Sequence, residues 1–184
     1  MRPSCAVFGG SFDPPHLGHT LVAAYVLSAH AIERLLVTPT AAHAFGKQLT
    51  SFDDRLRMCE LAFAAIERVE LCAIERDLPQ PNYTLHTLQA LAQKHPGVQL
   101  RVVLGSDLKR ETHAWHDFAK IQAIAPPVWV SRQGHAPDPG APALPDINST
   151  EIRRRIAANE STEGLLSPAV ADYIRERGLY RELS

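Results

Sequence analysis

Short, largely apolar runs alternate with helix-length segments along this chain, and that alternation restricts the fold more than any other feature. The runs lie at 4–8 (SCAVF), 34–38 (RLLVT), 69–74 (VELCAI), 100–104 (LRVVL) and 128–131 (VWVS). They lack the strict in–out alternation of a strand with one wet face. Strands of this kind are buried on both faces, as in a parallel sheet covered by helices. Helices are predicted between them over 19–31, 53–69, 83–94 and 113–123, and after them over 149–158 and 167–177. Ser167-Pro168 pairs a capping residue with proline at the first helical position, and Gly178 closes that last helix. Residues 134–145, rich in Pro and Ala, are expected as an exposed loop. The expected fold is therefore α/β, a doubly wound parallel sheet. The length of 184 residues fits one domain, 1–184, with a helical portion from about residue 149.

Composition narrows the partners. Nineteen Lys and Arg face twenty Asp and Glu, for a formal net charge of -1, so no basic excess exists to grip a nucleic-acid duplex by its phosphates. Hydrophobic residues make up 45% of the chain, too many for global disorder. No apolar run approaches the roughly 20 residues of a membrane span. Neither nucleic acid nor membrane is expected as a partner, and a homo-oligomer is left open. The first residues show no secretory apolar core or small-residue cleavage site. Cys5, Cys59 and Cys72 form no C-x-x-C pair and sit in apolar stretches. They read as small buried hydrophobes of a protein in the reducing cytoplasm.

In a doubly wound fold, ligands bind beyond the carboxyl ends of the strands. The least ordinary segment of the chain follows the first strand: residues 9–19, GGSFDPPHLGH. Gly9 and Gly10 permit a sharp turn or a close backbone approach to a ligand. His16 and His19, three residues apart at a helix start, can face the same side. A helix N-terminus presents N–H groups and a positive dipole end, which suits phosphate, and two imidazoles add donors. Taken alone, two such histidines also fit a cap plus a surface residue, or two metal ligands. A zinc reading is poor, because no cysteine or carboxylate beyond Asp13 stands at ligand spacing. Neither G-x-G-x-x-G nor G-x-x-x-x-G-K-[ST] occurs.

The string 9–19 resembles the H-x-G-H signature of the nucleotidyltransferase superfamily, and in its fuller form the bacterial nicotinate mononucleotide adenylyltransferases. Ile147-Asn148-Ser149-Thr150-Glu151-Ile152-Arg153 is similar to that family's I-S-S-T-x-I-R. Arg55-Leu56-Arg57-Met58 resembles its R-L-x-M helix, which is mainly structural. Asn82-Tyr83-Thr84 with Thr87-Leu88 resembles S-Y-T-x-D-T-L. Gly105-Ser106-Asp107 with Trp115 resembles G-x-D followed by Trp, and residues 130–134 resemble V-x-R-P-G. The likeness runs down to the ending SPAVADYIRERGLY. Departures are the loop Ala42-His43-Ala44-Phe45-Gly46-Lys47 where P-P-H-K is common, Asn148 for Ser, Gln133 for Pro, His86 for Asp, and Thr112 for an apolar residue. They fall on recognition segments rather than on the histidines or the S-T-x-I-R core.

The resemblance implies a Rossmann-like nucleotidyltransferase that joins ATP and nicotinate mononucleotide, giving deamido-NAD and pyrophosphate in NAD biosynthesis. On that basis His16, His19 and Arg153 are expected to be catalytic. Gly9, Gly10, Ser11, Phe12, Gly18, Gly105, Asp107, Ile147, Ser149 and Thr150 are expected at ATP. Lys47, Tyr83, Thr84, Trp115 and Arg132 are expected at the acceptor: backbone at Tyr83 and Thr84 for the pyridine carboxylate, Trp115 stacked on the ring, Arg132 on the phosphate. Read alone, Trp115 fits a core aromatic equally well, Arg132 an exposed strand-end charge and Arg153 a solvated basic face shared with Arg154 and Arg155. Mg²⁺ is expected with ATP, held by phosphates and water rather than by protein ligands. The alternatives are nicotinamide mononucleotide or another phosphorylated acceptor, or a catalytically silent nucleotide-binding domain.

Overall fold

A computed structural model describes residues 3–41, 48–80, 82–131, 133 and 142–181. Five parallel strands form one sheet: β1 (Ser4–Gly10), β2 (Arg34–Pro39), β3 (Val69–Leu71), β4 (Gln99–Gly105) and β5 (Pro127–Val130). Their order is β3-β2-β1-β4-β5. β1 pairs with β2 through Val7↔Leu36 and with β4 through Val7↔Val102. The chain winds outward one way from β1 to β3, then crosses back to β4. The order therefore reverses between β1 and β4, and a crevice at their carboxyl ends follows from that geometry.

Among the described residues six α-helices accompany the sheet: α1 (Leu17–Ala29), α2 (Phe52–Phe63), α3 (Thr84–Lys94), α4 (Phe118–Ile124), α5 (Ser149–Ala157) and α6 (Pro168–Arg177). Alternate side chains of β1 explain why the run 4–8 is apolar throughout. Ala6 and Phe8 point into a core with α1 residues Ala23 and Val26, while Cys5 and Val7 point into a second core with Leu88 and Leu91 of α3. A third cluster joins α2, α5 and α6 through Met58, Ile152, Val170 and Ile174. The C-terminal helical portion is thus packed on α2. Asp54 marks that junction: Oδ2 accepts from Ser51 Oγ at 2.7 Å, and Oδ1 accepts from Tyr173 Oη at 2.7 Å and Arg177 Nε at 3.2 Å.

Three boundaries differ from the sequence expectation by three residues or more. The helix predicted over 53–69 ends at Phe63, and Arg68, with a left-handed φ of 65°, leads the chain into β3. The third strand stops at Leu71 rather than 74, giving way to a 3₁₀ helix at Ile74–Asp77. The helix predicted over 113–123 starts late, as α4 at Phe118 after Asp117, whose φ is 52°, and is preceded by 3₁₀ helices at Ser106–Arg110 and Thr112–Ala114. Most of the 134–145 loop lies outside the described residues. Within the remainder, Leu144 N–H donates to the Ser131 carbonyl at 3.0 Å.

Candidate active site

The loop after β1 is held from three directions. Arg55 of α2, buried at 1% exposure, donates from Nη1 to the Ser11 carbonyl at 2.8 Å and from Nε to the Thr50 carbonyl at 2.9 Å. From α5, Ser149 Oγ donates to the Pro14 carbonyl at 2.9 Å and Arg153 Nη1 to the Asp13 carbonyl at 2.7 Å. Beyond α6, Tyr180 Oη donates to Asp13 Oδ1 at 2.7 Å. Burial pushes the Tyr180 phenol well above its usual pKa, and the neighbouring Asp13 charge adds to this, so the phenol stays a donor.

His16 occupies the N-cap of α1 and His19 its third helical position, and the two rings stack with centroids 3.7 Å apart. The His16 backbone N–H donates to His19 Nδ1 at 3.2 Å. In the neutral ring the proton of His19 therefore sits on Nε2, making that nitrogen the donor. Gly18 explains the small residue between them. A Cβ there would come within 3.0 Å of His16 Nδ1 and 3.4 Å of Ile147 Cβ, so glycine makes room for the stacked imidazole and the approach to α5. Two amides of the first turn are already engaged, the Leu17 N–H by the Leu165 carbonyl and the His19 N–H by the His16 carbonyl.

Next to this loop, and joined to it through Gly9, Gly10 and Ser11, is a cleft of about 670 Å³ at the β1/β4 reversal. Tyr83, Thr84 and Trp115 form part of its wall, as do Glu75, Asn82 and His116. Two buried polar side-chain atoms on its lining residues, Thr38 Oγ1 and Asn82 Oδ1, have no hydrogen-bond partner, nor do Ser106 Oγ and Asp107 Oδ1 just past the end of β4. Such groups cost about 1–3 kcal/mol each when left unmet, so a polar ligand or ordered water belongs there. α3 starts at this cleft with no side-chain cap on its first-turn amides. Tyr83 stacks on His116 at 4.6 Å. Trp115 is half-buried, packing edge-on against Phe118 at 6.0 Å while lining the cleft.

The structure thus sorts the expected site residues. His16, Gly18, His19, Ile147, Ser149, Thr150 and Arg153 come together around the 13–19 loop, with Arg153 Nη2 donating to Thr150 Oγ1 at 3.3 Å. Gly9, Gly10, Ser11, Tyr83, Thr84 and Trp115 line the cleft, and Gly105 and Asp107 stand at the end of β4. The Phe12 side chain, at 1% exposure, packs in the core against His19 and Phe63. Arg154 and Arg155 are bound by Glu151, and Arg154 also by Glu160. Asn148, the departure from Ser, still caps α5 by accepting the Glu151 N–H at 2.9 Å. Lys47 and Arg132 lie outside the described residues. Sequence reasoning missed Glu75, Asn82 and His116 in the cleft, and Arg55 and Tyr180 as braces. Tyr180 sat within the matching C-terminal ending, but nothing in the sequence paired it with Asp13.

A model of the cytidylyltransferase-like family matches residues 7–155. The chain belongs to that family. It is 44% identical over 179 residues to a probable nicotinate-nucleotide adenylyltransferase of Anaeromyxobacter sp. (strain K), covering 96% of each. The corresponding protein of Myxococcus xanthus (strain DK1622) is 34% identical, covering 98% of this chain and 97% of the relative. These relatives place it in the nicotinate-nucleotide adenylyltransferase branch of the cytidylyltransferase-like family. Among solved structures, Plasmodium falciparum nicotinic acid mononucleotide adenylyltransferase complexed with NaAD superposes with a TM-score of 0.83 at 20% identity, over 97% of this chain and 98% of that one. The shared fold includes the parallel sheet described above.

Proposed function

We propose that this protein is an adenylyltransferase of NAD biosynthesis, joining ATP and nicotinate mononucleotide to give deamido-NAD and pyrophosphate. The observation that carries the reading is the union of the histidine loop with the start of α5, beside a cleft rimmed by unpartnered polar atoms. The names of relatives up to 44% identical support the substrate pair. An oxygen of the mononucleotide 5′-phosphate attacks the α-phosphorus of ATP. The new P–O bond forms as the bond to the β-phosphate bridging oxygen breaks, and pyrophosphate leaves with that oxygen. The attacking phosphate is already ionised at neutral pH, so no general base is needed. Catalysis is alignment plus neutralisation of charge on the transferred and leaving groups.

In this reading His19, with its Nε2 proton, and His16 donate to the ATP phosphates. Thr150, Arg153 and the Ser149 hydroxyl oxygen hold the β- and γ-phosphates, while the backbone from Gly9 to Phe12, Gly18, Gly105, Asp107 and Ile147 shape the ATP half. Arg153 has a second role, since one of its nitrogens already fastens the Asp13 carbonyl. Trp115 stacks on the pyridine ring, the backbone at Tyr83 and Thr84 meets its carboxylate, and Lys47 and Arg132 are assigned to phosphate. Mg²⁺ enters as the counter-ion of ATP. Among the described residues no three His, Cys, Asp or Glu side chains converge for a metal, and the donors around the loop suit phosphate oxygen instead. The protein is proposed to be cytoplasmic, which its free thiols at Cys5, Cys59 and Cys72 support; among the described residues no helix is long and apolar enough to cross a membrane. Pyrophosphate release with ATP, Mg²⁺ and a panel of nicotinate mononucleotide, nicotinamide mononucleotide and phosphopantetheine tests the reading. Fastest turnover with nicotinate mononucleotide is expected, and release with none of them would overturn it.

A further inference from the structure

We propose that Glu75, which no step above uses, is a positioning residue that sets the acceptor half of the cleft. The inference rests on the acceptor assignment just made. Glu75 sits in the 3₁₀ helix after β3, 6% exposed, and lines the cleft. Oε1 accepts from Thr87 Oγ1 at 2.9 Å, and Oε2 accepts the Ala41 N–H at 3.2 Å. Its backbone carbonyl accepts Asn82 Nδ2 at 3.1 Å. One residue therefore ties together the chain leaving β2, the approach to α3 and the first turn of α3.

Asn82 and Thr87 bracket Tyr83 and Thr84. With both flanks fastened to Glu75, the peptide groups between them are fixed from either side, and their distance from the β2 end is fixed by Ala41. Burial pushes the Glu75 carboxyl above its ordinary pKa, against the hydrogen bonds from Thr87 and Ala41 and the Arg55 charge. A carboxyl kept in so unfavourable a place, with both oxygens engaged, acts as a brace rather than as a solvated charge.

Glu75→Gln keeps the brace: Oε1 can accept the Ala41 N–H, and Nε2 can donate to Thr87 Oγ1, which also accepts. Glu75→Ala removes the two carboxylate struts, to Thr87 and Ala41, and leaves only the Asn82 bond to the Glu75 backbone carbonyl. Thr87→Val removes one strut while leaving Glu75 in place, and decides the matter if Glu75→Ala does not fold. Steady-state kinetics with nicotinate mononucleotide and ATP are the readout. The acceptor KM is expected to rise about tenfold in Glu75→Ala and several-fold in Thr87→Val, with the ATP KM near wild type and Glu75→Gln close to normal. An unchanged acceptor KM in folded Glu75→Ala or in Thr87→Val, a joint rise of both KM values, or a Gln variant as impaired as Ala would overturn the inference while leaving the function intact. A wild-type protein inert towards every pyridine mononucleotide would overturn both.

Discussion

The two halves of the site are built in opposite ways. The histidine loop is anchored by side chains from α2, α5 and the segment after α6: Arg55, Ser149, Arg153 and Tyr180 bond to its backbone or to Asp13. The cleft wall opposite draws on short 3₁₀ helices and a helix start, and carries the unpartnered Thr38 Oγ1 and Asn82 Oδ1. The first half is organised before any ligand arrives. The second has hydrogen-bonding capacity that a ligand must complete. This division matches the chemistry proposed, in which transition-state charge falls on the anchored half and recognition on the other.

The largest effect is expected where preorganised donors meet developing charge. His19→Ala should lower kcat by about 10²–10³-fold, as loss of one such donor does elsewhere, with a native far-UV spectrum. A folded variant with near-normal kcat would erase the contrast between the halves. Trp115→Ala should act on the other side, raising the acceptor KM by about tenfold through lost stacking and buried area, with the ATP KM held; a matching rise in the ATP KM would mean the halves are not separate.

The smallest effect on turnover, and a clear one on stability, is expected from Asp54→Asn. Burial alone would raise the Asp54 pKa, but the hydrogen bonds from Ser51, Tyr173 and Arg177 outweigh it and hold the carboxyl below its ordinary value. A depressed folded pKa means the stabilisation is complete above the unfolded value of about 4 and is lost as pH falls through the folded one. Urea midpoints should put the variant about 1–3 kcal/mol below wild type at pH 7, with the gap narrowing on acidification. A gap that widens in acid would reverse the assigned sign.

What the sequence made legible follows from which forces act locally. Apolar runs placed the strands of the sheet, and Ser167-Pro168 with Gly178 placed α6 within a residue, because caps and burial patterns are written at short range. The end of α2 was not legible, since Ala64, Ala65 and Ile66 continue an apolar helix pattern while the turn depends on the left-handed Arg68. The 3₁₀ helices are too short to show a period. At the site, His16 and His19 stood out by spacing, and Gly18 and Ser149 to Arg153 by likeness. Glu75 and Tyr180 did not, because their partners lie far along the chain and only the tertiary fold names them.

The bond between Tyr180 and Asp13 spans 167 positions of chain. During synthesis the histidine loop is made 167 positions before its last fastening. Shorter products therefore carry His16 and His19 without the Tyr180 bond that helps to hold their loop, and the loop is fully fastened only once Tyr180 has been added.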